Sequence, residues 1–99
     1  MKPLRFHPSV QRDINEAMDH YASISDSLGE GFWIELQEAL ANIEGAPGSH
    51  HFDQSGLRRF NLDRFPYNVL YVILEDRIRV QVVRHNSRRP SFGVRRSNG

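Results

Sequence analysis

The chain has 99 residues, no cysteine and a formal net charge of +1, a length that suits one domain burying roughly two-thirds of its unfolded surface. The missing cysteine excludes disulfides and thiolate metal sites, and the longest apolar run, Val69–Leu74, is far short of the ~20 residues a membrane span needs. The opening MKPLRFHPS lacks the apolar run of a signal peptide, so a soluble cytoplasmic protein is expected.

Leu4 and Phe6 alternate with Arg5 and His7, a short strand closed by Pro8, which also suits the first turn of a helix. Val10, Ile14, Ala17, Met18 and Tyr21 then recur at helical intervals between polar residues, predicting an amphipathic helix that ends near Ile24. Ser25, Asp26 and Ser27 supply a break and a cap. Leu28, Phe32, Leu36, Leu40 and Ile43 form a second stripe with Trp33 and Ala39 at its margins, stopped by Gly45 and Pro47. Gly29 and Gly31 weaken its first turn, so its start can slip to Gly31. A link this short predicts an antiparallel helical hairpin.

Ala46–Gly56 reads as a loop, and three extended segments rich in aromatic and β-branched residues follow: Leu57–Leu62, Tyr67–Leu74 and Ile78–Arg84. Their short breaks predict a three-stranded meander. The middle segment is apolar on both parities, as befits a central strand covered on both faces or nearly so. In the third, alternation places Ile78, Val80 and Val82 toward the core, and Arg77, Arg79, Gln81 and His85 on the other side with Val83 among them. Asn86–Gly99 is a polar tail in which Phe92 and Val94 can anchor a turn and the last residues are expected to be mobile. The expected fold is α+β, in the order β-α-α-β-β-β within a single domain. The helices pack on one face of the sheet, and the other face is left partly open.

Charge is divided along the chain. Residues 1–50 carry three basic groups against eight acidic ones, a net −5, whereas residues 51–99 carry ten arginines against four acidic groups, a net +6. Guanidinium is a planar fork suited to phosphate or carboxylate, so an anionic partner is one reading; a solvated face with ordinary ion pairs is the other. Arg59, by alternation with Phe60 and Leu62, is expected beside Arg79 and His85 on the open side, with Arg58 toward the helices or the sheet edge. His85 either contacts phosphate and moves a proton, or ends the strand with bonds to backbone. Trp33 is core or an exposed interface anchor. Adjacent His50 and His51 diverge, and no metal site or cofactor is expected.

With the meander in place, the chain resembles the RelE/ParE superfamily of toxins from bacterial type II toxin–antitoxin systems, and sits closer to its ParE-like branch. The likeness rests on the element order and on Glu38, Ala39, Leu40, Ile43 and Pro47 at the end of the second helix. It rests also on "LRR.NL..FPY.V.Y" from Leu57 to Tyr71 and "V.V.RH..RRP" from Val80 to Pro90. The resemblance implies a cognate antitoxin as partner, in a hetero-oligomer or beside a toxin homodimer. It also implies a target: DNA gyrase for the ParE-like branch, or the ribosome and mRNA for the RelE-like branch of endoribonucleases.

Carried over position by position, the ribonuclease pattern falls on Asn61, Asn68 and Phe92, with Arg59 retained and Arg84, His85 and Arg88 as substitutes. Asparagine is no base near neutral pH and phenylalanine no acid, which favours the ParE-like branch; that resemblance implies inhibition of DNA gyrase by binding, with a RelE-like endoribonuclease as the alternative and a degenerate non-toxic binding partner as a second. Candidate target- or nucleic-acid-binding residues are Arg59, Arg79, Arg84, His85, Arg88 and Arg89; candidate partner-binding residues are Trp33, Arg58, Arg64 and Phe92.

Overall fold

Ser25 is the whole link between two helices, α1 (Val10–Ile24) and α2 (Asp26–Gly45), in the computed structural model, which describes residues 1–97. Its N–H donates to Tyr21 O at 3.0 Å and closes α1, while its Oγ accepts from Leu28 N–H at 3.1 Å and caps α2. So tight a turn brings the helix backbones together at Gly29, which is buried; a Cβ there would lie 3.2 Å from the Cβ of Ala22. This corrects two sequence expectations. The second helix does not slip to Gly31, and its buried stripe runs through Gly29, Phe32, Leu36, Ala39, Leu40 and Ile43, leaving Leu28 37% exposed.

Four strands, β1 (Leu4–Phe6), β2 (Arg58–Asn61), β3 (Tyr67–Ile73) and β4 (Ile78–His85), form one sheet in the order β1-β4-β3-β2. β2, β3 and β4 make the predicted antiparallel meander, and β1 lies parallel to β4 with Leu4 opposite Ile78 and Phe6 opposite Val80. The loop before β2 holds a 3-10 turn over Pro47–Ser49.

The helical hairpin covers one face. Val10, Ala17, Phe32, Leu36 and Ile43 pack there on Val69, Tyr71, Ile78, Val80 and Val83. At one end the rings of Tyr21, Phe32 and Phe65 meet edge-on or stacked, with Phe32 and Phe65 centroids 5.3 Å apart. At the other, fully buried Tyr71 satisfies its hydroxyl by donating to Pro47 O at 2.6 Å.

β4 departs from simple alternation. Leu70 pairs with Val82 but Tyr71 pairs with Val80, so Gln81 is an extra residue and the strand bulges there. Beyond the bulge every side chain changes sides. Val83 joins the helix-side core, whereas Val82 turns to the opposite face, the reverse of what strict alternation predicts.

The buried stripe is directly testable by denaturant unfolding. Phe32→Ala is expected to cost about 3–5 kcal/mol, and Leu28→Ala about 1 kcal/mol or less.

Candidate functional site: a covered arginine face and an apolar groove

The face of the sheet away from the helices carries Arg59 from β2, Asn68 and Leu70 from β3, and Arg79, Gln81, Val82 and Arg84 from β4. The bulge explains this set, since Gln81 and Val82 both turn to the same side. Residues 88–97 lie across them. Arg84 Nη1 donates to Pro90 O at 2.8 Å and Phe92 O at 2.9 Å, and Gln81 Nε2 donates to Val94 O and Arg96 O. Arg79 reaches Ser97 O, which His7 Nε2 also engages. Gly93, at φ +75°, sits so close to Val82 that an added Cβ would fall 2.5 Å from Cγ2.

The expected open arginine face is therefore closed by the chain's own backbone. Leu70 and Val82 are fully buried, and Arg84 is 5% exposed. Sequence reasoning missed this cover because the segment has no periodicity and is held by main-chain carbonyls, which every residue possesses.

A single carboxylate holds the arginines together beneath the cover. Asp53 Oδ1 lies 3.1 Å from Arg59 Nη1 and 3.9 Å from Arg84 Nη2. Burial alone would raise the Asp53 carboxyl, but hydrogen bonds from Ser55 and Arg59 and the charge of Arg84 hold it below its ordinary value. Burial pushes the Arg84 guanidinium down, opposed by Asp53 and assisted by Arg59. Two carbonyls take its Nη1 and the Asp53 carboxylate lies near its Nη2, so Arg84 is turned into the molecule.

His85 is not on this face. The register places it opposite Tyr67, whose ring it meets edge-on at 5.2 Å, and its Nδ1 accepts from Ser87 N–H at 2.9 Å and contacts Ser87 Oγ. The strand-ending role with backbone bonds is the one observed. Arg88 stacks its guanidinium 4.5 Å from the Phe92 ring, and Arg89 is exposed. The structure thus places Arg59, Arg79 and Arg84 on one face of the sheet, with Arg84 buried under the cover, Arg79 bonded to its end and Arg59 half-open at its side, sets His85 on the other face, and leaves Arg88 and Arg89 exposed.

Of the candidate partner-binding residues, Arg58 turns to the helix side as expected. There it donates to Gly48 O and His50 O and lies 4.2 Å from the Phe52 ring. Arg64 pairs with Glu35, which also accepts the Asp63 and Arg64 amides. Phe92 is half-buried in the cover. Trp33 is 45% exposed and, with Phe6 at 46%, walls a groove of about 380 Å³ whose floor is Val10, Ile14 and Leu40. The groove runs beside β1, one of the two edge strands of the sheet.

Asp13 is the functional-looking residue that sequence reading passed over. It lies within the apolar stripe of α1, buried, and its Oδ2 accepts from Val83 N–H at 3.1 Å on the bulged strand. Arg96 completes it with two bonds, at 2.6 and 2.7 Å. An acid at the third position after Val10, among residues otherwise apolar, was the available signal. Among the described residues, no three of His, Cys, Asp or Glu are placed to share a metal ion, and no helix is long and apolar enough to cross a membrane.

The family model for the ParE toxin of type II toxin–antitoxin system, parDE, matches residues 4–90. The chain belongs to the ParE toxin family. That match spans the meander, the hairpin and the groove-forming strand, so membership stands although the open arginine face does not. Among solved structures, a chain of the chromosomal ParDE TA system from P. aeruginosa superposes with a TM-score of 0.75 at 16% identity. The match covers 86% of this chain and 96% of that one. It shows that the ParE fold is shared. No curated protein matches.

The depressed carboxylates set an acid limit on this ParE chain. A carboxyl whose folded value lies below its unfolded one contributes stability that is present above the unfolded value and lost as pH falls through the folded one. Asp53 and Glu35 are both held below their ordinary values of 3.8 and 4.5, Glu35 by the Arg64 and Asp63 contacts against burial. Thermal unfolding followed against pH is expected to show Tm dropping below about pH 4, with a shallower drop in Asp53→Asn.

Proposed function

We propose that this chain is a type II toxin that inhibits DNA gyrase by binding, and that a cognate antitoxin neutralises it. The observation that carries the reading is that Arg84 and His85 are each occupied by partners within the molecule. RNA cleavage by internal 2′-hydroxyl attack needs a base, an acid and cations gathered about one phosphate. Here Arg84, which borders one small cavity with His85 and Arg88, gives its Nη1 to the Pro90 and Phe92 carbonyls, and His85, on the other face of the sheet, is bonded to Ser87. Membership of the ParE family supports the same reading.

The antitoxin contributes an amphipathic segment to the groove beside β1. Trp33 and Phe6 are its aromatic anchors, the kind of half-exposed side chain that dominates binding energy when covered. The likeness to a chain of the P. aeruginosa ParDE TA system supports an antitoxin as partner. The exposed guanidinium groups of Arg88 and Arg89, with Arg59 partly open beside them, form the surface offered to the target.

Induced expression with parallel assays tests the activity. Gyrase supercoiling is expected to fall while mRNA 5′ ends stay unchanged; codon-phased cuts on translating ribosomes that vanish in Arg59→Ala would overturn the proposal in favour of a ribonuclease. Growth unaffected in every host would instead mark a non-toxic binding protein. For the groove, Trp33→Ala is expected to weaken antitoxin binding at least about tenfold, read by calorimetry, with the fold preserved.

A further inference from the structure

Residues 86–97 have neither helix nor strand, yet they cover a buried sheet face. Asn86 is tied at the root, its N–H donating to Pro66 O and its Oδ1 accepting from Asn68 Nδ2; beyond it the bonds to the sheet come from side chains, with Arg84, Gln81, Arg79 and His7 gripping five of the segment's carbonyls. None of those carbonyls belongs to the β-ladder, so the sheet keeps its own pairing if the segment leaves. The segment's own apolar side chains are few, with Phe92 and Val94 half-buried around Gly93, which packs on Val82. At the far end Arg96 clasps Asp13 with two charge-assisted bonds, the strongest single attachment along its length. Val83 N–H is bonded by Asp13 itself and keeps that partner without Arg96.

We infer that residues 86–97 are a releasable strap, latched by Arg96 on Asp13. Its opening as a unit, short of global unfolding, adds the Arg84 and Arg79 guanidinium groups to the half-open Arg59, around an apolar floor. Segments with irregular backbone and few apolar contacts open below the global free energy, and this one has both properties. Once open, Arg84 exchanges two carbonyls for water and becomes available to an oxyanion, while Leu70 and Val82 become accessible. The strap therefore governs how much of the arginine set a target can meet. The inference concerns regulation of the surface in the proposed function, but it is read without any target, so failure of either leaves the other standing.

Hydrogen exchange on the full chain tests the opening. Phe92 and Val94 amides, bonded to Arg89 O and Ser91 O, are expected to exchange well before the Val69 and Tyr71 amides of β3. Arg96→Gln should speed the first pair about tenfold or more and leave the second unchanged. A second, independent variant is Gly93→Val, whose side chain would collide with Val82 and push the strap off with the latch intact. Labelling with an arginine-specific dicarbonyl, mapped by mass spectrometry, is expected to spare Arg84 in the wild type and modify it in both variants. One common exchange rate for strap and β3 amides, in wild type and variants, would overturn the inference, as would an Arg84 that stays unlabelled in folded Gly93→Val.

Discussion

An extra residue in β4 determines which side chains of the sheet meet the helices and which do not. Because Gln81 stands outside the pairing with β3, the strand changes parity in the middle. Val83 is delivered to the core and Val82 and Arg84 to the opposite face. A bulge leaves backbone groups that the ladder does not use. Here Val83 N–H goes to Asp13 and Gln81 O accepts from Arg96. The first helix and the C-terminal segment are thus joined across the one irregular point in the sheet, and the cover over the arginines follows from that junction.

The charge division of the sequence takes a different form in three dimensions. Arg84, Arg79 and Arg96 are directed inward, at carbonyls and at Asp13, while Arg59 shares Asp53 with Arg84. Guanidinium suits such work because its several donors can satisfy two or three acceptors in one plane. Outward charge is carried by Arg88, Arg89 and Arg95, and the helical hairpin, with Arg12 as its one basic residue, presents acidic groups on the other side. The molecule is consequently polarised, with its apolar groove nearer the acidic half.

Element order and the helix-side core were legible because period-3.6 and period-2 apolar patterns survive wherever one face is buried. The stripes of α1 and α2 and the three strands lie within a residue or two of their predicted bounds. What could not be read has physical causes. A bulge leaves no compositional trace, so alternation assigned Val82 and His85 to the wrong sides. The parallel pairing of β1 with β4 joins segments that nothing local connects. The strap binds through main-chain oxygens, which are invisible to residue type, and only Gly93 and the buried Asp13 bear a mark of it. The placement of the arginines was half legible: Arg59, Arg79 and Arg84 share the face away from the helices, but Arg84 is buried there and Arg79 is spent on the chain's own carbonyl.

β1 has a consequence for how the molecule comes into being on the ribosome. Its partner residues, Ile78–Val80, are made only after both helices and β3, and Arg96, which meets Asp13 across 83 positions, is made later still. Contacts this distant in sequence form slowly and late. The helical hairpin can assemble while the chain is still emerging, but the edge of the sheet and the groove beside it cannot exist until translation of the meander is finished. A newborn copy thus passes through an interval in which the hairpin is present and the complete binding surface is not.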